Sequence, residues 1–422
     1  MELHIQQNGN QEVAITVRFT LQGDMLEMEN QILEATNQVG AAATEHAMKR
    51  FDTDGRDIRV ADVKLYSRGQ FNQTYETPYG PVELKRHVYQ TAKGGRSFVP
   101  LEERARLVKN ATPRYAQQIT SKYVYGGAPA VKRDLERNHG RRVSLDYIKT
   151  LSDLVGSLAQ AREVDWEYDL PPLPAPVATV SVGLDGTCIF MSHEGGWRQA
   201  MVGTISLYDG AGERMHTIYT GAAPEYGKEA FLGRLGRELE RTRALFPGAT
   251  VQGLADGAAE NWTWLSERTT VQVLDFWHLS EYVGRAGEAL YPKNRLIREE
   301  WVGRWCHALK NEEGAVERFL AELGYRRRGL KGEAAEALSE TARYVKNQRE
   351  RMDYPREVKA HRPIGSGVTE AACKTLIKER MCKAGMRWKR EGTSAVIALR
   401  SLELTAGRWE QFWQKIVQYG LN

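Results

Sequence analysis

Three short apolar runs between Val177 and His278 each end in an aspartate, at Asp185, Asp256 and Asp275. Strands that are buried on both faces of a sheet have this almost continuous apolar character, and functional groups collect where such strands end. A carboxylate at a strand end escapes the core while keeping a rigid support. Three of them in one sheet predict an acidic, metal-binding site.

The order of elements around these aspartates predicts a ribonuclease H-like α/β core. Three antiparallel strands are followed by a helix, a strand, a short helix and a last strand. In that order the strand ending at Asp185 lies beside the strand ending at Asp256, so the two carboxylates face each other across one strand spacing, roughly 5 Å. The predicted early elements are a strand ending at Asp185, strands at Cys188–Met191, Gln199–Tyr208 and Met215–Tyr219, and a helix at Lys228–Leu245.

Composition limits the class of protein. The chain has 422 residues, 41% hydrophobic and 27% charged, which predicts a folded protein of two or three domains. The sequence contains no apolar run of about 18 residues, so we expect no membrane span. The N-terminus lacks the features of a signal peptide, so we expect a cytoplasmic protein. Its 4 cysteines include no Cys-x-x-Cys pair, which argues against a zinc ribbon or a disulfide framework. The net charge of +5 is a weak signal by itself.

We expect five regions along the chain. Residues 1–105 form a mixed α+β region with a helix at about Met25–Phe51 and a β-ribbon, and 106–170 a helical domain with a linker. Residues 171–278 form the first part of the core, 279–361 an all-helical insertion, and 362–422 the C-terminal helices of the core. The helix at Met25–Phe51 is expected to pack on its own region, with packing on a second copy as the alternative.

The helical domain predicts DNA contacts. Three short helices with tight turns resemble a helix-turn-helix reader, with a plain three-helix bundle as the alternative. Ser144 is a good start signal for the third helix. Basic residues gather near that helix and could contact phosphates. They are Lys132, Arg133, Arg141, Arg142 and Lys149.

A third carboxylate follows the helical insertion. Gly365-Ser-Gly predicts a tight turn and Thr369 a helix cap, so Glu370 falls in the first helical turn. A glutamate there can simply compensate the helix dipole, but two facing aspartates need a third carboxylate to hold two cations. The basic residues Lys374, Lys378 and Arg387 that follow predict contacts with phosphates.

In their order, these motifs resemble the DDE transposases of bacterial insertion sequences, of the ISKra type related to the Mutator-like superfamily. The resemblance covers about Val177 to the C-terminus. It is carried by Gly-Leu-Asp185-Gly, Ala-Asp256-Gly-Ala, Asp275-Phe-Trp-His278, Gly-Ser-Gly-Val-Thr-Glu370 and Gly385-Met-Arg-Trp388. It implies Asp185, Asp256 and Glu370 as the catalytic, metal-binding triad, with Asp275 and His278 in support. Relatives often carry a Cys-x-x-Cys pair near a Tyr-rich strand, which this chain lacks, so no zinc is expected.

The resemblance also implies the reaction and its partners. Two Mg²⁺ ions, with Mn²⁺ as the substitute, would serve cleavage at the ends of an insertion sequence and strand transfer into target DNA. The partner is double-stranded DNA, bound by a homodimer or higher assembly. The protein would act in the bacterial cytoplasm near the nucleoid, and no membrane partner is expected. Two alternatives remain. One is an actin-like ATPase or sugar kinase, because Asp185-Gly-Thr187 matches its first phosphate-binding turn, and the other is a non-catalytic, transposase-derived DNA-binding protein.

Overall fold

The computed structural model describes residues 2–8, 12–192, 195–224 and 228–421. The protein is a mixed α/β protein, about half helical, with a five-stranded mixed sheet. It divides into two compact units, one of Met1–Tyr168 with Trp409–Asn422 and one of Asp169–Arg408. The division falls between Tyr168 and Asp169, next to the proline-rich segment Pro171–Pro176. Residues Trp409–Asn422 group with the first unit.

The first unit contains two sheets and five helices before the linker, among the described residues. A two-stranded antiparallel sheet pairs β1 with β2, and a four-stranded sheet has the order β3-β4-β5-β6. The elements are β1 (Glu2–Asn8), β2 (Glu12–Arg18), α1 (Met25–Lys49), β3 (Ile58–Val60), β4 (Val63–Glu76), β5 (Pro81–Thr91), β6 (Gly94–Phe98), α2 (Pro100–Arg104), α3 (Pro113–Tyr125), α4 (Ala128–His139) and α5 (Leu145–Arg162).

Local signals explain where these helices begin and end. Asp24 and Glu27 form a capping box at the start of α1, because each side chain bonds the other's backbone N–H. The hydroxyl of Ser144 accepts from the backbone N–H of Tyr147 at 3.0 Å, which confirms Ser144 as the cap of α5. Gly140 ends α4 in the left-handed conformation, with φ of 62°.

The second unit carries the five-stranded sheet. Its elements are β7 (Thr179–Met191), β8 (Gly196–Tyr208), β9 (Arg214–Ala222), α6 (Glu229–Leu245), β10 (Thr250–Ala255), α7 (Ala259–Ser266), β11 (Val271–Leu274), α8 (Phe276–Leu290), α9 (Arg295–Asn311), α10 (Ala315–Arg327), α11 (Glu333–Gln348), α12 (Tyr354–Lys359), α13 (Gly367–Ala372), a π-helical segment (Cys373–Lys378), α14 (Glu379–Met381) and α15 (Arg390–Leu404). A final helix, α16, spans Arg408–Tyr419, and its residues from Trp409 onward belong to the first unit.

The sheet has the order β11-β10-β7-β8-β9. Strands β7, β8 and β9 are antiparallel neighbours, whereas β10 runs parallel to both β7 and β11. One detail of the prediction was wrong. The strands expected to end at Asp185 and to restart at Cys188 are one strand, β7, because its hairpin partner β8 pairs without interruption from Thr179 to Met191.

One apolar core joins this sheet to helices on its faces. Phe231, Leu235 and Leu239 of α6 are fully buried in it, at the spacing of one helix face. Helices α8 to α11 follow β11 along the chain, and their buried Val283 and Phe319 belong to the same core. Within the described residues, no helix is long and apolar enough to span a membrane.

Candidate metal centre

Asp185 and Asp256 lie at matching positions on neighbouring strands, just beyond the point where the pairing of β7 with β10 ends. Strand β10 pairs with β7 up to Leu254 opposite Gly183. Asp256 and Asp185 each follow two residues later, so the parallel register carries both carboxylates to the end of this pairing. Each is partly exposed. Because adjacent strands lie about 4.8 Å apart, this arrangement supports the predicted facing pair.

Asp275 follows the third parallel strand and is fully buried. Its Oδ1 accepts from the backbone N–H groups of Trp277 and Ser366, each at 3.1 Å, and its Oδ2 accepts from the Ser366 hydroxyl at 2.8 Å. A buried carboxylate needs such donors, because burial of an unpaired charge is costly. Asp275 therefore caps α8 and ties β11 to the Gly365–Gly367 turn before Glu370.

The Gly365–Gly367 turn brings Glu370 to the site. Ser366 lies at the start of α13 and its hydroxyl also contacts Glu370 Oε1, at 3.0 Å. Thr369, predicted as the helix cap, is instead buried and bonded to the hydroxyl of Thr204 on β8 at 2.7 Å. The helix starts at Gly367, two residues before the predicted cap. Thr369 therefore lies inside the helix and anchors it on the sheet.

Close packing of α13 on the sheet requires a glycine in β7. A Cβ atom built on Gly183 would lie 2.0 Å from Thr369 Oγ1 and 3.1 Å from Thr204 Oγ1. Real Cβ atoms do not approach other atoms so closely, and Thr369 is held by its own hydrogen bond. Gly183 thus sets the distance between the strand of Asp185 and the helix of Glu370.

A thiol connects the same helix to Asp185. The Cys373 thiol, three residues after Glu370, donates to Asp185 Oδ2 at 3.3 Å, while the Gly186 N–H donates to Oδ1 at 2.6 Å. Burial and then the Asp185 charge raise the pKa of the Cys373 thiol. Cys373 therefore stays a neutral donor that orients the Asp185 carboxylate. The sequence did not predict this role. The one local indication of it is that Cys373 lies three residues after Glu370, and so on the same side of a helix.

The helical insertion packs against the loop that carries Asp256. Asp256 Oδ1 accepts from the backbone N–H of Ala258 at 3.1 Å and from the Asn261 amide at 3.4 Å. Tyr344 of α11 lies so close to Gly257 that a Cβ there would be 2.6 Å from the Tyr344 ring. Burial, followed by the charges of nearby groups including Asp256, raises the pKa of the Tyr344 phenol. Tyr344, also missed from the sequence, therefore keeps a neutral hydroxyl beside the acidic loop.

The most compact ligand group differs from the predicted triad. Asp275, His278 and Glu370 offer ligand atoms that all lie within 4.8 Å of one another. Within the described part of the chain, Asp185, Asp256 and Glu370 do not form a group of that compactness. His278, on the first turn of α8, keeps 41% of its side chain exposed and lies 3.8 Å from Glu281. Asp275 and His278, the predicted supporting residues, therefore lie next to Glu370.

These residues fit hard divalent cations. Magnesium prefers oxygen ligands, takes only one or two carboxylates in many sites and keeps several waters. In two-metal sites the ions lie about 4 Å apart, so the carboxylates that would hold them need not form a single tight cluster. Asp185 and Asp256 supply oxygens where the pairing of β7 with β10 ends, and the exposed Glu370 supplies them from the adjoining helix.

Of the eight predicted DNA-contacting residues, six are exposed, Lys132 is partly exposed and Arg141 is buried. Arg133, Arg142, Lys149, Lys374, Lys378 and Arg387 are exposed, as phosphate contacts require. Lys132 and Lys149 also pair with Glu136 and Asp153 on their own helices, at 2.5 and 3.5 Å. Arg141 is 4% exposed and is bonded to the Thr77 carbonyl and the Glu76 carboxylate. Its surroundings give Arg141 a structural role in place of the expected phosphate contact, because its guanidinium is already paired inside the unit.

Arg142 and Arg141 should therefore behave differently. We expect Arg142→Ala to flatten the salt dependence of DNA binding by roughly 0.9 in log–log slope for each phosphate that the Arg142 guanidinium contacts. Arg141→Met should leave that slope unchanged and should destabilise the fold by about 3 kcal/mol, because it leaves Glu76 without its buried partner. Binding titrations across salt concentrations and thermal unfolding measure the two effects. An unchanged slope for Arg142→Ala would show that Arg142 is a solvated surface residue that contacts no phosphate.

Comparison with known proteins does not assign this site. No family model matches the chain, and no curated protein matches it significantly.

Proposed function

We propose that the chain is a DDE-type DNA transposase that cleaves the ends of an insertion sequence and joins them to target DNA. The observation that carries the proposal is that Asp185 and Asp256 follow paired positions on the neighbouring parallel strands β7 and β10, while Glu370 lies three residues before Cys373, whose thiol bonds Asp185. Three carboxylates from separate elements, held by buried partners, are the ligand set that two Mg²⁺ ions need.

The strand order supports a ribonuclease H-like core as the finer description of the fold. The sheet combines three antiparallel strands with two parallel ones added beside the first, and β7 lies at its centre. Helices follow each parallel strand, and the helical block α8 to α11 stands between β11 and the helix of Glu370. This is the order expected from the sequence.

Each residue has a distinct task in the proposed reaction. Asp185 and Asp256 would hold the cations from β7 and from the end of β10, and Glu370 would hold them from α13. When bound, two Mg²⁺ ions would activate the attacking oxygen and stabilise the leaving oxygen of a phosphodiester. Cys373 orients Asp185, and Asp275 holds the turn that positions Glu370. His278, beside Glu370, can donate to a phosphate oxygen or join the ligands.

The exposed basic side chains near Glu370 fit a DNA substrate. Lys374 and Lys378 project from the segment that follows Glu370, and Arg387 lies farther along the chain. They supply positive charge that attracts phosphates. Binding as a homodimer or higher assembly on paired DNA ends, in the bacterial cytoplasm, belongs to the same proposal.

The kinase or ATPase alternative is less well supported. Its Asp-Gly-Thr motif needs a tight turn that wraps a phosphate. Here Asp185, Gly186 and Thr187 are extended in the middle of β7, opposite Val202, Met201 and Ala200 of β8. A nucleotide-binding assay separates this alternative, and tight ATP binding without DNA cleavage would favour it.

A metal-dependent nicking assay tests the proposed function. The substrate is a labelled duplex containing the DNA that flanks the protein's own reading frame. We expect nicking that releases a 3′-hydroxyl with Mg²⁺ or Mn²⁺, and binding without nicking with Ca²⁺, whose looser geometry suits the reaction less well. Binding without nicking under every metal would instead support a non-catalytic DNA-binding protein.

A further inference from the structure

Trp277 is an exposed tryptophan at the edge of the candidate site. Along the chain it lies between two residues of the compact ligand group, Asp275 and His278, and it is 65% exposed. Of the 10 tryptophans in the chain, all of them within the described ranges, only Trp277 and Trp197 are exposed to more than half of their surface. Tryptophan is usually well buried, so a solvent-facing indole beside a polar site is a candidate ligand contact.

The indole is held in place. Trp277 lies in the first turn of α8, and its backbone N–H donates to the buried Asp275 carboxylate at 3.1 Å. One edge of the ring packs on Gly365, where a Cβ would lie 3.1 Å from Cδ1 and 3.3 Å from Nε1. The glycine lets the indole rest on the turn while the rest of the ring faces solvent. A ring that already rests on the backbone along one edge loses less side-chain freedom when a flat ligand binds to it.

The neighbouring groups define the ligand class. The Glu370 and His278 side chains lie in one group with Asp275, where a phosphodiester would bind in the proposed reaction. Exposed Lys374 and Lys378 follow Glu370 and attract phosphates. A flat, uncharged group attached to a phosphate backbone is a nucleobase. In an intact duplex both faces of each base are covered, so only an unpaired base can stack on a side chain.

We propose that Trp277 stacks an unpaired nucleobase of the DNA strand next to the bond that is cut. This inference rests on the proposed function, because it places DNA at the Asp185 and Glu370 site. Stacking on an aromatic ring tolerates any base, since every base has a π-face. Trp277 would therefore position the strand and hold it open without reading its sequence.

The test uses a DNA duplex with a short single-stranded 3′ tail that carries 2-aminopurine, in the presence of Ca²⁺. Wild-type protein should quench the 2-aminopurine fluorescence on binding. Trp277→Ala should abolish the quenching and weaken tail binding about tenfold, whereas Trp277→Phe should keep most of both. Thermal unfolding of each variant, expected to match wild type because the side chain is exposed, excludes misfolding as the cause.

Two comparisons separate stacking from other effects. An abasic site in the tail should weaken binding to wild type about tenfold and leave binding to Trp277→Ala unchanged. Trp197→Ala is the matched control, because Trp197 is 61% exposed and lies opposite Phe190, five residues beyond Asp185 along β7. That separation is about 17 Å along the strand. Trp197→Ala should behave as wild type.

The outcomes distinguish this inference from the proposed function. Wild-type protein that nicks its DNA but does not quench the tail, or an equal abasic penalty in Trp277→Ala, overturns stacking alone. Quenching that depends on Trp277 without any metal-dependent nicking overturns the proposed function and retains the stacking site. A wild-type protein that does not bind the tailed duplex overturns both.

Discussion

Asp185→Asn should abolish DNA strand cleavage while leaving the fold and DNA affinity unchanged. An amide has nearly the shape of a carboxylate but is a poorer ligand for a hard cation, and it leaves the positive charge of the ion unbalanced. A loss of roughly 4 kcal/mol of transition-state stabilisation corresponds to about a thousandfold in rate. The nicking assay on a labelled DNA end measures this loss, with DNA binding measured beside it.

Asp256→Asn and Glu370→Gln should show the same loss as Asp185→Asn. A double variant should be little worse than either single one, because residues that act as a unit are not additive. Glu379→Gln is the matched control, since Glu379 is exposed nine residues after Glu370 and should keep wild-type cleavage. If Glu370→Gln cleaves normally and Glu379→Gln does not, the third ligand is Glu379. Normal cleavage by Asp185→Asn contradicts the proposed site altogether.

Gly183→Ala should both destabilise the protein and impair cleavage. The added methyl group would lie 2.0 Å from Thr369 Oγ1, so α13 must move away from β7 and carry Glu370 with it. Overpacking of this kind costs about 1–3 kcal/mol. Thermal unfolding measures the stability, and the nicking assay measures the displacement of Glu370.

The matched control for this change is Gly284→Ala in α8. No heavy atom lies within 4 Å of a Cβ built there, so the alanine should be neutral or stabilise the helix by about 0.5–1 kcal/mol. If Gly183→Ala unfolds and cleaves as wild type does, the close approach of α13 to β7 does not position Glu370.

The parts of the fold that local sequence patterns determine were predictable. The capping signal at Ser144 predicted where α5 begins, because the start of a helix depends on a local side chain that accepts from its first backbone N–H groups. The parallel neighbours β10 and β7 followed from the alternation of strands and helices. The approach of Asp256 and Asp185 then follows from the register of these two strands.

Other features depend on partners far along the chain. The run through Asp185 and Gly186 looks like a strand end and a turn, but pairing with β8 keeps it extended. Thr369 resembles a helix cap until the hydroxyl of Thr204 on another strand takes it. Arg141 looks like a solvent-facing cation, and only the fold supplies Glu76 as its buried partner. Local patterns carry no information about such long-range pairings.

The candidate site divides in the same way. Asp185 and Asp256 could be proposed because carboxylates after apolar runs stand out, and Glu370 because it follows the Gly365-Ser-Gly turn at a helix start. The groups that orient them could not be proposed. Cys373 and Ser366 act through hydrogen bonds to residues 188 and 91 positions away. Their side chains are common in buried helices and turns, so nothing in the sequence distinguishes these roles.

Anomalous diffraction from crystals of the protein with Mn²⁺ and a cleaved DNA end locates the metal ligands directly. We expect two manganese peaks about 4 Å apart, with Asp185 and Asp256 bound to one and Glu370 to the other, and with Asp185 near enough to bridge both. Asp275 should remain bonded to Ser366. A single peak enclosed by Asp275, His278 and Glu370, with none in contact with Asp185, would contradict the proposed metal centre.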